Sequence, residues 1–128
     1  MARILLVEPD RLLADIYQKA LAADGHETMT AAGAQAAVTA ADARQPDLVI
    51  LELQLVEHSG IEFLYEFRSY PEWQGIPVLV HSTVPPAEFN DSRRILSAQL
   101  GVDTYLYKPR TTLNELLANV RDQLSVPA

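Results

Sequence analysis

A short apolar run in the middle of the chain constrains the fold more than any other feature. Leu48–Leu51 contains only Leu, Val and Ile, follows Pro46 and Asp47, and is too short for a helix. Such a run between turn signals predicts a strand buried on both faces, which is typical of the centre of a parallel sheet. Glu52 follows the run directly, and open α/β sheets bind ligands at the carboxyl ends of their strands. Glu52 is therefore either a site residue or a solvated glutamate at a strand end.

Strand and helix signals alternate along the rest of the chain. Further strands are predicted at residues 3–7, 26–30, 77–82 and 104–107. Helices are predicted at residues 11–23 and 34–43, from residue 59 onwards, and at residues 86–100 and 113–124. Parallel strands need crossover connections, and these helices provide them. A strand followed by a helix, repeated along the chain, predicts an α/β fold, a doubly wound parallel sheet with helices on both faces.

Composition restricts the classes of function. The 128 residues suit one domain, and 48% hydrophobic with 21% charged residues is an ordinary globular balance. The net charge of −7 disfavours a nucleic-acid-binding surface, and the absence of cysteine excludes disulfides and thiolate chemistry. No apolar run approaches the length of a membrane span, and no signal-peptide pattern precedes the first strand. We therefore expect a cytoplasmic protein with no membrane partner and no nucleic-acid partner of its own.

Polar side chains stand where the predicted strands end. They are Glu8, Asp10, Glu52, Ser82 and Lys108. Because the carboxyl ends of parallel strands share one edge, these carboxylates, a hydroxyl and an ammonium are expected in one crevice, a set suited to a cation or a phosphoryl group. Asp10 also suits the N-cap of the first helix. There is no Ser-His-Asp order, metal-spaced histidine cluster or glycine-rich loop, so hydrolase, zinc and nucleotide sites have little support.

Two bulky side chains have structural interpretations. His81 lies within the fourth strand, where a core or boundary histidine is a better prediction than a ligand. Trp73 lies in the loop at residues 71–75 and is expected to cover an apolar patch. Neither residue belongs to the candidate site.

Several motifs follow the order and spacing of one known family. They are Ile4-Leu5-Leu6-Val7-Glu8, Pro46-Asp47-Leu48-Val49-Ile50-Leu51, Gly60, Ile76-Pro77-Val78, Gly101 and Tyr105-Leu106-Tyr107-Lys108-Pro109. Through these motifs the chain resembles, over its whole length, a response-regulator receiver domain of bacterial two-component systems. The resemblance implies a flavodoxin-like sheet of five parallel strands in the order 2-1-3-4-5. It also implies a receiver domain at residues 1–124, followed by a C-terminal tail at residues 125–128.

The resemblance also implies a phosphorelay site. Receiver domains accept a phosphoryl group from a histidine kinase on an aspartate after strand three. That aspartate, an acidic pair after strand one and a backbone carbonyl hold Mg²⁺. In this chain Glu52 occupies the acceptor position, Ser82 and Tyr105 the switch positions, and Lys108 the phosphate-binding position.

The chain departs from the family pattern at the acceptor and metal positions. Glu52 is one methylene longer than aspartate, and Pro9 replaces the second acid of the pair. Glu8 and Asp10 remain as an acidic pocket. Asp10 lies one residue further along the chain than the second acid of the family's pair. Because Mg²⁺ needs near-octahedral oxygen ligands, we expect no cofactor or at most weak Mg²⁺ binding, and no enzymatic activity. Glu52 is a poor acceptor, but its carboxylate can partly mimic a phosphoryl group while paired with Lys108 in a solvent-open crevice.

Two functions follow. One is a degenerate, pseudo-receiver-like signalling domain that acts by protein–protein interaction without conventional aspartyl phosphorylation. The alternative is a response regulator that accepts phosphoryl groups through an atypical acidic site. The expected partners are signalling proteins, namely a histidine kinase, a phosphotransfer protein or an effector domain. A phosphoryl mimic would turn Ser82 towards Glu52 and Tyr105 inward behind it, whereas a frozen inactive form would keep Tyr105 outward.

Oligomeric state is a separate question. The resemblance allows a homodimer through the predicted fourth helix, fifth strand and fifth helix. Charged candidates for that face are Arg94, Asp103, Glu115 and Arg121. Two substitutions argue against it, because Asn119 stands where an arginine is usual and Arg110 where a phenylalanine is common.

Overall fold

The secondary structure follows the predicted alternation over most of the chain. The computed structural model describes residues 2–92 and 94–125, with the backbone alone at residues 90–92 and 103. Within these residues the strands are β1 (Arg3–Val7), β2 (Glu27–Ala31), β3 (Leu48–Leu51), β4 (Val78–Ser82) and β5 (Val102–Tyr107). The α-helices of the same residues are α1 (Arg11–Ala23), α2 (Ala34–Ala43), α3 (Gly60–Ser69) and α4 (Leu113–Ser125). Short 3-10 turns lie at Pro71–Trp73 and Lys108–Arg110.

The strands form one parallel sheet with β3 at its centre. The strand order is β2-β1-β3-β4-β5, and every neighbouring pair is parallel. β3 pairs with β1 on one side and β4 on the other, and its four residues are all buried. The predicted fold class and strand order are confirmed. Of the predicted tail, residues 126–128 lie outside the described part of the chain.

The core has one apolar layer on each face of the sheet. β3 supplies both layers because its side chains alternate, Val49 and Leu51 on one face and Leu48 and Ile50 on the other. The first layer packs α2 and α3 against the sheet, and the second packs α1 and α4. The two layers fix the strand ends, and therefore the site, in one rigid frame.

The prediction of a regular fourth α-helix is wrong. Residues Pro86–Ser92 form 3-10 turns broken by a non-helical backbone at Phe89, and Ile95–Gln99 form a π-helical turn. The backbone of Phe89, with a φ of −111° and a ψ of 17°, leaves the helical region and interrupts the ladder of hydrogen bonds. The helix labelled α4 is consequently the one predicted as the fifth.

Trp73 is more buried than expected. Its side chain is 4% exposed and belongs to the apolar layer under α3. The indole stacks on Phe67 with ring centroids 5.0 Å apart and meets the Tyr70 ring in a tilted arrangement at 4.6 Å. The residue therefore completes the core instead of covering a surface patch.

Across the described residues, no helix has both the length and the apolar character that crossing a membrane requires.

Candidate functional site

The ends of β1 and β3 place two carboxylates beside each other. The backbone N–H of Glu8 donates to Ala31 at 2.9 Å and that of Glu52 donates to Val7 at 3.0 Å, so both residues continue the hydrogen-bonding pattern of their strands. Their side chains are almost entirely shielded from solvent. Two buried carboxylates at this spacing need a counter-charge.

Lys108 supplies that counter-charge. Its ammonium lies 2.5 Å from Glu8 Oε1 and 2.8 Å from Glu52 Oε1, and its side chain is 10% exposed. The residue follows β5 and starts a 3-10 turn with Pro109, which directs it across the sheet edge. The crevice is therefore closed around a buried ionic cluster, and the expectation of a solvent-open crevice is wrong.

The remaining lone pairs of Glu52 are also occupied. Its Oε2 accepts a short hydrogen bond from the Ser82 hydroxyl and a bond of 3.1 Å from the Gln54 backbone N–H. Its Oε1 accepts from the Thr83 backbone N–H at 3.1 Å. A carboxylate has about four acceptor positions, so Glu52 uses its full capacity within the protein.

The charged forms of Glu52 and Lys108 stabilise each other. Burial alone would raise the pKa of the Glu52 carboxyl, but hydrogen bonds from Lys108, Ser82 and the Gln54 amide lower it below its usual value. Burial alone would lower the pKa of Lys108, but its bonds to Glu52 and Glu8 raise it. Both groups are ionised at neutral pH.

Ser82 and Tyr105 meet the loop that follows β4. The Ser82 hydroxyl donates to Glu52 and accepts from the Val84 backbone N–H at 3.0 Å. The Tyr105 hydroxyl donates to the carbonyl of the same Val84 at 2.6 Å, and its ring lies 6.1 Å from that of Phe89. Burial raises the pKa of Tyr105 to about 12. Both predicted switch residues are thus anchored on one short loop.

Asp10 is committed to the start of α1. Its side chain accepts from the Leu13 backbone N–H at 3.1 Å, which confirms the predicted N-cap. Its own backbone N–H donates to Glu8 Oε2 at 3.1 Å. Of the predicted acidic pocket, Glu8 binds Lys108 directly, whereas the Asp10 carboxylate is exposed and serves the helix.

The donor set does not fit Mg²⁺. The ion prefers about six oxygen ligands in near-ideal geometry. Here the carboxylates of Glu8 and Glu52 bind an ammonium, Pro9 has no side-chain oxygen, and Asp10 caps a helix. Among the side chains that the structure describes, no three or more of His, Asp or Glu form a metal-ligand group.

His81 lies directly beneath the cluster. It is 3% exposed, and its ring meets that of Tyr17 edge-on at 5.2 Å, as predicted for a core histidine. Burial and the nearby Lys108 ammonium lower the pKa of His81 to about 4. The imidazole is therefore neutral at physiological pH and adds no charge to the site.

Two residues that bind Glu52 were not predicted as site residues from the sequence. Gln54 and Thr83 both donate backbone N–H groups to Glu52, and the Thr83 hydroxyl lies 3.0 Å from Gln54 Oε1 above it. Their only signal was position, since Gln54 lies two residues beyond Glu52 and Thr83 follows Ser82. The residue type does not indicate a backbone donor, because every residue except proline has a backbone N–H.

Two of the residues proposed for a dimer face have partners within the chain. Arg121 binds both carboxylate oxygens of Asp24, at 2.8 and 2.9 Å. Glu115 accepts from the backbone N–H of Thr112 at 3.3 Å and from its hydroxyl at 3.0 Å, at the start of α4. The Asp103 side chain lies outside the described residues. The dimer through this face stays a prediction.

Comparison with known proteins identifies the family. The model of the response regulator receiver domain matches residues 4–121. The chain belongs to this family of signalling domains.

Curated relatives of known length extend the comparison. The chain is 35% identical over 121 residues to the KDP operon transcriptional regulatory protein KdpE of Escherichia coli, covering 94% of this chain and 50% of that protein. It is 32% identical over 124 residues to the phosphate regulon transcriptional regulatory protein PhoB of Rhizobium meliloti, covering 97% and 52%. The chain spans about half the length of these relatives.

Solved structures agree on the fold. A CheY-like response regulator receiver domain protein from Methanospirillum hungatei superposes with a TM-score of 0.84 at 22% identity, covering 97% of this chain and 94% of that one. The non-phosphorylated HemR receiver domain from Leptospira biflexa gives a TM-score of 0.84 at 24% identity, covering 100% and 98%. At these identities the likeness supports the fold alone.

Proposed function

We propose that this chain is a receiver domain that signals through protein–protein contacts and does not use phosphorylation of an acidic side chain. One observation carries the proposal. Both carboxylate oxygens of Glu52, the residue at the acceptor position, are occupied by Lys108, Ser82, Gln54 and Thr83. An acceptor must present a free oxygen to the donor, and this carboxylate would first have to lose several of these bonds.

Geometry and charge disfavour transfer further. In-line transfer loses about a hundredfold in rate when a reacting group is misplaced by about 1 Å, and the extra methylene of Glu52 displaces its oxygen by that order. Pro9 occupies the position at which the family has the second acid of its metal site. The hydrogen-bond donors around Glu52 therefore hold a carboxylate. The side chain at position 9 does not supply the oxygen ligand that a metal ion beside the acceptor would need.

The contacts of the switch residues support a state that resembles the phosphorylated one. In this proposal the Glu52 carboxylate supplies the oxygen towards which Ser82 turns, and Tyr105 lies behind Ser82 with its hydroxyl on Val84. The resemblance is partial, because a carboxylate carries one negative charge and a phosphoryl group about 1.5 to 2. A module held in this state would present one surface to its partner without an input of phosphate.

The partners are proposed from the family. Two-component proteins of three kinds are candidates, namely a histidine kinase, a phosphotransfer protein and an effector domain. The relatives are transcriptional regulatory proteins of about twice this length, which favours an effector domain, attached or separate, as the recipient of the signal. The cytoplasm is the compartment in which these partners would be met.

Treatment with a small phosphodonor tests the proposal. The protein is incubated with acetyl phosphate and MgCl₂ and its intact mass is measured, with the expectation that no phosphoryl group is added. The matched control is the double variant Pro9→Asp with Glu52→Asp, which restores the family's acids and should gain one phosphoryl group. A phosphoryl group on Glu52 of the unchanged protein would support the alternative of an atypical acceptor.

A further inference from the structure

Two buried carboxylates share one ammonium in this chain. Glu8 and Glu52 reach Lys108 Nζ through one oxygen each, and the exposed fractions of the three side chains are 3%, 4% and 10%. Removing like charges from water is costly unless a cation lies between them. The cation in this structure belongs to the protein itself.

We propose that Lys108 is a resident cation that takes the place of a divalent metal ion between Glu8 and Glu52, so that this chain closes its own crevice against metal ions and phosphate-like anions. The inference deepens the proposed phosphorylation-independent function and rests on it. A tethered ammonium differs from a bound ion in one respect, because its occupancy does not depend on ion concentration.

The surrounding contacts explain why neither class of ion enters. A metal ion would have to displace the ammonium from both carboxylates, and Pro9 offers no further oxygen. An anion would meet two carboxylates and a single ammonium already bound to both. The Thr83 hydroxyl donates to Gln54 Oε1 at 3.0 Å, and the backbone N–H groups of both residues donate to Glu52. The cluster is thus complete without a ligand.

Lysine acylation tests the proposal on the unaltered protein. The chain contains two lysines, Lys19 and Lys108. The Lys19 side chain is 77% exposed and pairs only across one helical turn with Asp15, whereas the Lys108 side chain is 10% exposed. Treatment with an N-hydroxysuccinimide ester of acetic acid, followed by peptide mass spectrometry, should modify Lys108 at least about tenfold more slowly than Lys19, because the ester reacts with a neutral, accessible amine and two carboxylates hold Lys108 in its charged form. Equal rates would overturn the proposal.

A substitution then separates a resident cation from a merely buried lysine. Lys108→Met keeps the length of the side chain and leaves Glu8 and Glu52 facing each other without a cation. Millimolar MgCl₂ or MnCl₂ should raise the Tm of this variant by about 4 °C or more, because an ion that binds only the folded state stabilises it. The Tm of the unchanged protein and of the surface control Lys19→Met should not move.

The carboxylates themselves provide the last control. Adding Glu8→Gln to Lys108→Met removes one of the two charges and should abolish the rise in Tm. If Lys108→Met folds and neither metal raises its Tm, the proposal of a resident cation is overturned and the proposed function is unaffected. Phosphorylation of the unchanged protein would instead overturn the proposed function. If Lys108→Met does not fold without metal, recovery of the folded state on addition of MgCl₂ or MnCl₂ is the expected result, and failure to recover it would overturn the proposal.

Discussion

At the scale of single residues, the buried imidazole of His81 makes stability depend on pH. Burial, together with the Lys108 ammonium, lowers the pKa of His81 from 6.5 to about 4. The unfolded chain therefore binds a proton that the folded chain does not bind between these two values. This contribution to stability is fully present above the unfolded pKa and is lost as the pH falls towards the folded one. The difference corresponds to about 3 kcal/mol.

His81→Phe should remove this dependence while keeping a ring against Tyr17. Between pH 7 and pH 4.5, the free energy of unfolding of the wild type should fall by roughly 2 kcal/mol more than that of the variant. Urea titrations at a series of pH values measure the slope. The matched control is His58→Phe, which replaces a histidine whose side chain is 58% exposed. Parallel slopes for wild type and His81→Phe would assign the acid sensitivity to other groups.

The sequence located the strand-end residues of the site but not their full set of contacts. Because Glu8, Glu52 and Lys108 each follow a buried strand, topology alone places them at one edge, and the structure joins them in one cluster. The sequence did not reveal the backbone donors to Glu52, since any residue type supplies a backbone N–H. It also left open whether Asp10 serves the crevice or the helix, because the same carboxylate suits both.

At the scale of elements, the segment between β4 and β5 shows where sequence patterns fail. Pro86 and Gly101 correctly bracket a helical segment, and Leu96 and Leu100 are buried as one face of a helix would be. The spacing cannot distinguish an α-helix from 3-10 and π turns of similar length, because all three bring apolar residues back to one face every three to five positions. The structure distinguishes them at the non-helical backbone of Phe89 and at the π-helical turn Ile95–Gln99, which packs on β5.

Arg68 anchors the end of this segment. Its guanidinium donates to the carbonyls of Trp73 at 2.7 Å and Leu100 at 2.9 Å, and so joins α3 to the turn before β5. Gly101 has a φ of +65°, and a Cβ there would lie 2.8 Å from Arg68 Nη2. Both the backbone conformation and the contact therefore favour glycine.

Gly101→Ala should lower the free energy of unfolding by about 1 to 2 kcal/mol, because it combines a left-handed backbone with a clash against Arg68. Gly75→Ala is the matched control, since a Cβ at Gly75 meets nothing within 4 Å and needs no positive φ. That control should change stability by about 0.5 kcal/mol or less. Denaturant titration compares the two variants. Equal losses would show that Arg68 and the backbone conformation do not constrain Gly101.

At the scale of the whole molecule, one sheet connects the ionic cluster to β5, the edge strand that carries Tyr105. The alternation of strands and helices predicted a doubly wound parallel sheet, whereas the strand order was predicted from the resemblance to receiver domains. The alternation of strands and helices did not predict which state the molecule adopts, the one with Tyr105 inward or the one with Tyr105 outward. In the proposed function, that balance depends on the contacts of Glu52 with Ser82 and of Tyr105 with Val84.

Glu52→Gln tests whether the charge at the crevice sets the state of the molecule. The amide keeps the size of the side chain, removes the negative charge and leaves Lys108 paired with Glu8 alone. A hydrogen bond to a charged group is stronger than its neutral counterpart by about 1 kcal/mol, enough to change a two-state ratio several-fold. The fraction of molecules with Tyr105 inward should fall accordingly, and cross-relaxation between the Tyr105 and Phe89 rings in NMR spectra should weaken. Glu66→Gln, an exposed glutamate on α3, should leave these signals as they are. If Tyr105 keeps its orientation in Glu52→Gln, then Glu52 is only a lost acceptor, and the inward state depends on packing around Tyr105 instead of on the carboxylate.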